Sequence, residues 1–209
     1  MLNLVRDAWV VSGRSGPVPD RVRGNALHPP LELGRWAEVV ALGNTFGFAG
    51  SEAEKMLAWA ENLVAPGGTL AVEIAPGPGE RSGYLARLPP SSVVRLLRAP
   101  LRAVLGRLDR EPFRAEPARR AAEGSFRRFT AAEIRDRWQR AGWEVLETVA
   151  VAPCLGPDPT RIDAVRADDT SWKRLLALEE EVGRRPERWT QAAALLLSAR
   201  QPASKRTIK

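Results

Sequence analysis

Residues 36–75 read WAEVVALGNTFGFAGSEAEKMLAWAENLVAPGGTLAVEIA, and this stretch determines the fold class. An apolar run at 39–42 stops at a glycine and an asparagine, as a buried parallel strand does where it meets a loop. Ser51 and Glu54 then form an S-x-x-E capping box, which predicts the start of a helix. The apolar residues of this helix fall on one face: Ala53, Met56, Leu57, Ala60, Leu63 and Val64.

The end of this helix and the next strand follow from the same stretch. Pro66, Gly67 and Gly68 end the helix and turn the chain, and TLAVEIA at 69–75 predicts a second buried strand. Strand, helix and strand in this order form a βαβ unit. The two strands of such a unit are parallel, and its crossover is almost always right-handed.

A second helix start lies further along the chain. Thr130 and Glu133 form another capping box, and Gly142 stands where a left-handed C-terminal cap is expected. The buried stripe of this helix is predicted to consist of Ile134, Trp138 and Ala141. This segment therefore repeats the pattern of the first helix.

The remaining segments complete an alternation of strands and helices. WEVLETVAVAP at 143–153 and QAAALLLSAR at 191–200 predict strands, with a charged helix at about 171–184 between them. At the front, a helical stripe at 2–9 and a short strand in DRVRGNAL at 20–27 are expected. This order predicts an α/β fold with a mainly parallel sheet.

Length and composition set the class of protein. The chain has 209 residues, of which 44% are hydrophobic and 27% charged, which is typical of one globular domain covering residues 1–209. Its longest aliphatic run, near 192–197, is far shorter than the roughly 18 apolar residues of a membrane span. The first residues do not resemble a signal peptide, so we expect a cytoplasmic protein. Residues 200–209 are expected to form a flexible tail.

The scarcity of cysteine and histidine excludes two kinds of site. Cys154 is the only cysteine and His28 the only histidine, so neither an internal disulfide nor a structural Cys/His zinc site can form. No metal is therefore expected. Cys154 is interpreted as a small buried residue. His28 is interpreted as a solvated loop residue, with a general base as the alternative.

The net charge of +7 is concentrated in one segment. Residues 81–128 contain twelve arginines against four acidic residues, a local balance of +8, and the rest of the chain sums to −1. A leucine stripe interrupted by Pro100 predicts helical structure there. We interpret residues 81–128 as a basic helical insertion that forms a lid over an anionic acceptor, with a solvated lid packed on its own leucines as the alternative.

The order of these motifs resembles the class I S-adenosylmethionine-dependent methyltransferase family. The matching segments are GNA at 24–26, GNTFGF at 43–48, LVAPGG at 63–68, TLAVEIA, and FRRFTAAEIRDRWQRAGWEVLETVAV at 126–151. The resemblance implies a Rossmann-like methyltransferase fold and S-adenosylmethionine as cofactor. The implied activity is methyl transfer to a small acceptor, and the basic charge of residues 81–128 suggests that this acceptor is anionic.

The front of the family pattern is not found in this sequence. Family members begin with a strand, a G-x-G-x-G loop and a second strand that ends in an acidic residue. SGRSG at 12–16 leaves no room for the helix that follows such a loop, and residues 1–11 resemble the helix after the second strand. We therefore expect an N-terminally truncated fold whose activity is in doubt. Its open sheet edge would be covered by a second copy or a partner chain.

The resemblance also implies the cofactor-binding residues, which lie at the ends of two strands. The adenine would be read by Asn25, Ala26 and Leu27, and the methionine part would be lined by Gly43, Asn44, Thr45 and Phe46. Two alternatives remain open: Asn25 as an ordinary turn residue and Phe46 as a core residue.

The acceptor side is less defined by sequence. We expect acceptor contacts from Phe48, Tyr84, Arg127 and Arg128. Methyl transfer depends mainly on an in-line approach, so no catalytic base is assigned. The alternative function is a non-catalytic, methyltransferase-like interaction module that binds RNA, an anionic surface or a partner chain.

Overall fold

The computed structural model describes residues 31–43, 45–75, 84–110, 129–156, 158–192 and 194–203. The strands in these ranges are β1 (Trp36–Ala41), β2 (Val64–Ile74), β3 (Glu144–Val151) and β4 (Ala194–Arg200). The helices are α1 (Thr45–Phe48), a single turn, and α2 (Ala53–Leu63), α3 (Pro90–Leu97), α4 (Leu101–Arg110), α5 (Ala131–Arg140), α6 (Pro159–Arg166) and α7 (Asp169–Gly183). Short 3-10 helices cover Gly50–Glu52, Tyr84–Arg87 and Pro186–Gln191. The predicted α/β class is confirmed.

The strands of the described residues form one sheet in the order β1-β2-β4-β3. β1 and β2 are parallel, as the βαβ pattern predicts, with Val39 opposite Leu70. β4 lies between β2 and β3 and is antiparallel to both. In this part of the chain the sheet is therefore mixed rather than mainly parallel, with one parallel and two antiparallel pairs.

The direction of β4 follows from the two helices that precede it. α6 and α7 succeed each other and return the chain to the end where β3 stops, whereas one helix would carry it to the opposite end. Gly183 of α7 packs closely there, since a Cβ on it would lie 2.6 Å from the carbonyl oxygen of Ala150. Val151 then pairs with Ala194, so β4 begins beside the end of β3.

The first helix of the βαβ unit begins later than predicted. Ser51 lies in the 3-10 turn Gly50–Glu52, and the N-cap of α2 is Glu52, whose side chain makes no capping hydrogen bond. The capping box expected from Ser51 and Glu54 is therefore wrong. The preceding 3-10 turn already starts the helical path, so the helix has no extended residue at Ser51 that could act as its cap.

The second strand begins earlier than predicted. β2 starts at Val64, so the Pro-Gly-Gly sequence lies inside the strand, opposite a register shift between Trp36 and Glu38 of β1. A Cβ on Gly68 would lie 2.8 Å from the carbonyl oxygen of Ala37. The glycine is required there because the two backbones approach each other closely.

The capping box before α5 is confirmed. Thr130 Oγ1 accepts a hydrogen bond from the Glu133 amide at 3.1 Å, and Glu133 Oε2 accepts one from the Thr130 amide at 2.7 Å. Gly142 follows the helix with a φ of +79°. The predicted stripe is correct for the buried Ile134 and Trp138, but Ala141 is exposed because it is already the C-cap residue.

α2 and α5 pack on one face of the sheet and form the first core cluster. Its buried members include Leu57, Val64, Leu70, Val72, Ile74, Ile134, Trp138, Leu195 and Leu197. The two helices are also joined by a polar contact, since Arg137 Nε and Nη2 both donate to the Glu61 carboxylate at 2.7 Å. Hydrogen bonding to Glu61 raises the pKa of the Arg137 guanidinium above its ordinary value.

The described part of the basic segment belongs to a second core cluster. α3 and α4 pack with α6 and α7, and the buried members include Leu85, Val93, Leu97, Val104, Leu108, Val165, Leu175 and Leu178. Residues 84–110 are thus built into a helical layer with the C-terminal helices. The rest of the segment expected to form a lid, 81–83 and 111–128, lies outside the described residues.

Two further boundaries follow from the structure. Residues 200 and 201 do not belong to the flexible tail that was expected for 200–209. Arg200 of β4 pairs with Thr69 of β2, and the Gln201 amide donates to the Gly68 carbonyl oxygen at 2.8 Å. Within the described ranges, no helix combines the length and the apolar character that a bilayer crossing requires.

One face of β1 is left largely exposed. Alternate positions 36, 38, 40 and 42 point to the same side, which carries the exposed Glu38 and three apolar side chains: Trp36, Val40 and Leu42 are 43%, 51% and 56% exposed. Val39 and Ala41 point to the other side and pack against the first core cluster. In the described part of the chain, β1 pairs only with β2.

Candidate functional site

The carboxyl ends of the two parallel strands bring two loop residues and a carboxylate together. Ligands of open α/β sheets bind at this kind of edge. The backbone N–H of Gly43, just beyond β1, donates to Glu73 Oε2 of β2 at 3.0 Å. Gly43 has a φ of +73°, and apart from its two chain neighbours no atom of the described residues lies within 4 Å of the position that a Cβ would occupy. The Gly43 side of this edge is therefore open.

Thr45 and Phe46 continue the chain from this edge into α1. Thr45 Oγ1 donates to the carbonyl oxygen of Leu42, which fastens the turn between β1 and α1. The Phe46 side chain is 1% exposed and belongs to the first core cluster. This position agrees with the core interpretation of Phe46. Cofactor binding by Gly43, Thr45 and Phe46 stays a prediction.

Several expected site residues lie outside the described residues. These are the adenine-contact residues and Asn44 on the cofactor side, and two arginines on the acceptor side: Asn25, Ala26, Leu27, Asn44, Arg127 and Arg128. For two others the structure gives the backbone, which places Phe48 at the end of α1 and Tyr84 at the start of a 3-10 turn.

Glu73 is a site residue that the sequence analysis did not single out. It is half-buried in β2 and directly follows the buried Val72, which pairs with Ala41 of β1. Its carboxylate faces the Gly43 loop. The available signal was a single acidic residue in the apolar stretch TLAVEIA. Alternation along a strand makes such a residue look like an ordinary solvent-facing position, so sequence alone does not mark it.

A cavity of about 310 Å³ lies beside α2 and α5. Its lining is mostly charged: Glu54, Leu57, Phe129, Glu133, Ile134, Asp136, Arg137 and Arg140. Arg137 is already held by Glu61 and by Glu54, whose Oε2 lies 2.9 Å from Arg137 Nη1. The charged groups of this cavity thus serve the helix pair, and we assign it no ligand.

Cys154 lies in a buried site that disfavours a thiolate. Its side chain is 2% exposed, as expected for a small buried residue. Burial and the neighbouring Glu179 raise the pKa of the Cys154 thiol well above its ordinary value. A thiol in this state is not a nucleophile at neutral pH.

The described residues contain no group of three or more His, Cys, Asp or Glu side chains arranged to hold a metal ion.

The comparisons with known proteins give structural neighbours only. No protein-family model and no curated protein matches the sequence. Among solved structures, the chain is similar to the [4+2]-cyclase SpnF, with 15% identity and a TM-score of 0.43 over 97% of this chain and 62% of that chain. It is also similar to a chain of the complex between the Haloferax volcanii Trm112 methyltransferase activator and a putative methyltransferase, with 16% identity and a TM-score of 0.44 over 95% and 67%.

A third neighbour is a putative methyltransferase from Bacillus halodurans, with 13% identity and a TM-score of 0.39 over 97% of this chain and 80% of that chain. The chain thus spans less than two thirds of the length of SpnF. Similarity at these levels assigns no activity, substrate or partner to this protein.

Proposed function

We propose that this chain has an S-adenosylmethionine-dependent methyltransferase fold and transfers a methyl group to a small, anionic acceptor. The observation that carries the proposal is the contact between Gly43 and Glu73 at the carboxyl ends of β1 and β2. It is supported by the motif order of residues 24–151, which resembles that family, and by the general position of ligand sites in open α/β sheets.

The residues at this edge fit the cofactor in two respects. The space beside Gly43 leaves room for a ligand to approach the backbone, and the Glu73 carboxylate retains acceptor capacity beyond the Gly43 amide. S-adenosylmethionine supplies an activated methyl group when it is bound. In this proposal Glu73 orients the Gly43 loop and adds negative charge beside the positively charged cofactor, while 25–27 and 43–46 form its binding surface.

The chain's part in the reaction is to hold two reactants in line. Positioning and the exclusion of water can supply much of the rate of such a transfer without a strong base. Phe48, Tyr84, Arg127 and Arg128 are proposed to contact the acceptor, and the arginines would select an anionic group. The alternative function is a non-catalytic module that binds RNA or an anionic surface through the basic segment.

Calorimetric titration with S-adenosylmethionine and with S-adenosylhomocysteine tests the proposal. We expect saturable binding by the unmodified chain and weaker binding by Glu73→Gln, which keeps an acceptor oxygen but loses the charge. Glu147→Gln is the matched control, because Glu147 lies on β3 at the other edge of the sheet and forms an exposed ion pair with Arg184.

Two results would decide against the proposal. A folded protein that gives no heat with either compound would contradict cofactor binding, and salt-sensitive RNA retention by the same sample would favour the interaction module. Equal affinities in the unmodified chain and Glu73→Gln would show that the pocket lies elsewhere.

We also propose that another chain covers the exposed face of β1 and the edge of β1 that pairs with no strand of the described residues. A strand edge with unpaired backbone groups is a template for pairing with a further strand. Trp36, Val40 and Leu42 add apolar side chains beside that edge. A second copy fits this edge, because two β1 strands can pair antiparallel across a two-fold axis.

A further inference from the structure

A second cavity lies between α3 and α4, and the described residues that line it all lie outside the sheet. Its volume is about 320 Å³, which is at the small end of the range for sites that bind small organic molecules. It is lined by Leu88, Ser92, Arg95, Leu96, Ala99 and Arg107. The positions 92, 95, 96 and 99 share one side of α3 and the turn after it, and Arg107 approaches from α4.

The cavity has an apolar floor and a positive rim. Leu88, Leu96 and Ala99 are half-buried and pack against the second core cluster, so their contacts fix the floor. Arg95 and Arg107 are exposed at the opening, and among the described residues no acidic side chain lines the cavity. This combination favours a molecule with an apolar body and a negative group.

The two rim arginines differ from other arginines of the same helical layer. Arg98 donates to Asp168 at 3.0 Å, Arg185 donates to Asp109 at 2.9 Å, and Arg174 caps carbonyl groups at the end of α3. Within the described residues, Arg95 and Arg107 form no ion pair or hydrogen bond. Their guanidinium groups are thus available for a carboxylate or a phosphate.

We propose that the cavity between α3 and α4 binds small amphipathic anions, with the apolar body on Leu88, Leu96 and Ala99 and the anionic group between Arg95 and Arg107. The site does not depend on the proposed cofactor site, because its apolar floor packs against the second core cluster and none of its described lining residues belongs to the β1–β2 edge.

Binding of three naphthalene probes tests this site. The probes are 2-naphthoate, 2-naphthyl phosphate and the neutral 2-naphthamide, each measured by its own fluorescence. We expect either anion to bind at least about tenfold more tightly than the amide, because a hydrogen bond from a guanidinium to an anion is stronger than one to a neutral amide. The ratio between the two anions tells a carboxylate site from a phosphate site.

Substitutions of arginine distinguish anion binding in the cavity from a general attraction of anions to the basic surface. The double substitution Arg95→Gln and Arg107→Gln should weaken anion binding at least about tenfold, since both charges are lost. Arg102→Gln is the matched control, because Arg102 is an exposed arginine of α4 that does not line the cavity. Failure of both anions to bind would overturn the proposal. Equal weakening by the double variant and by Arg102→Gln, with all proteins folded by circular dichroism, would also overturn it.

Discussion

At the scale of single residues, the Glu179 carboxylate fixes the loop after β3. Its two oxygens accept hydrogen bonds from the backbone amides of Cys154 and Leu155, both at 2.9 Å. Loss of solvent raises the pKa of Glu179 above its ordinary value of 4.5, and the two amide donors oppose this rise in part. The folded protein therefore binds a proton at this site more readily than the unfolded chain does.

This difference predicts an unusual pH dependence. A carboxyl whose pKa is raised by folding adds stability as the pH falls through the raised value, because the folded state then takes up the proton first. Relative to Glu179→Gln, the unmodified protein should therefore gain unfolding free energy between about pH 7 and about pH 5. Urea unfolding at both pH values measures the difference.

The neighbouring Glu180→Gln is the control for this prediction. Glu180 is 63% exposed and pairs with Arg184 on the surface, so Glu180→Gln removes a surface carboxylate of the same helix and leaves the hydrogen bonds between Glu179 and the loop amides in place. The explanation given for Glu179 would be contradicted if the unfolding free energy of the unmodified protein, relative to Glu179→Gln, stayed constant with pH or decreased as the pH falls.

At the scale of elements, the two capping-box sequences give opposite expectations. Thr130→Ala removes a formed cap and should lower the unfolding free energy by about 1 kcal/mol. Ser51 belongs to the same sequence signature but lies in a 3-10 turn. We therefore expect Ser51→Ala to change the unfolding free energy by less than about 0.5 kcal/mol. Denaturant unfolding compares the two, and similar losses would show that Ser51 caps α2 after all.

The glycines of two helices provide a second pair of expectations. Gly183→Ala should destabilise the protein by about 1–3 kcal/mol, since the added Cβ would meet the Ala150 carbonyl oxygen at 2.6 Å. Gly106→Ala in α4 should stabilise it by about 0.5–1 kcal/mol, since the nearest heavy atom is Arg110 Nη2 at 3.9 Å. Thermal unfolding gives the sign of both changes, and a tolerated Gly183→Ala would show that α7 does not press on β3.

The elements also show where sequence reasoning succeeds and where it ends. The βαβ unit was predictable because the periodicity of α2 and the apolar runs of β1 and β2 are local properties. The direction of β4 was not, because it depends on α6, which the sequence analysis missed. Asp158 followed by Pro159 is an N-cap and first-turn signature and was the available signal for that helix. Glu73 was missed because its partner, Gly43, is 30 residues away.

At the scale of the whole molecule, the exposed side of β1 predicts self-association. If two copies pair through β1, sedimentation velocity should show a dimer whose fraction rises with protein concentration. Leu42→Glu should shift the population to monomer, because it replaces an exposed leucine of this face with a second acidic side chain in addition to Glu38. Leu176→Glu is the control, an exposed leucine of α7 at 50% that lies away from β1. A monomer at every concentration, or equal effects of both substitutions, would contradict pairing through β1.

The two core clusters also separate the proposed sites. The β1–β2 edge adjoins the cluster formed by the sheet with α2 and α5, whereas the arginine-rimmed cavity belongs to the layer of α3, α4, α6 and α7. A cofactor bound at the first site should therefore slow hydrogen exchange in one part of the chain. An anion bound at the second site should slow it in another part.

Hydrogen exchange with and without S-adenosylhomocysteine tests the central claim most directly, because it reports both whether the compound binds and where. The account predicts slower exchange at residues 42–46 and 72–75 and unchanged exchange at residues 92–107. Unchanged exchange at the carboxyl ends of β1 and β2, in a protein that is folded and saturated with the compound, would contradict it.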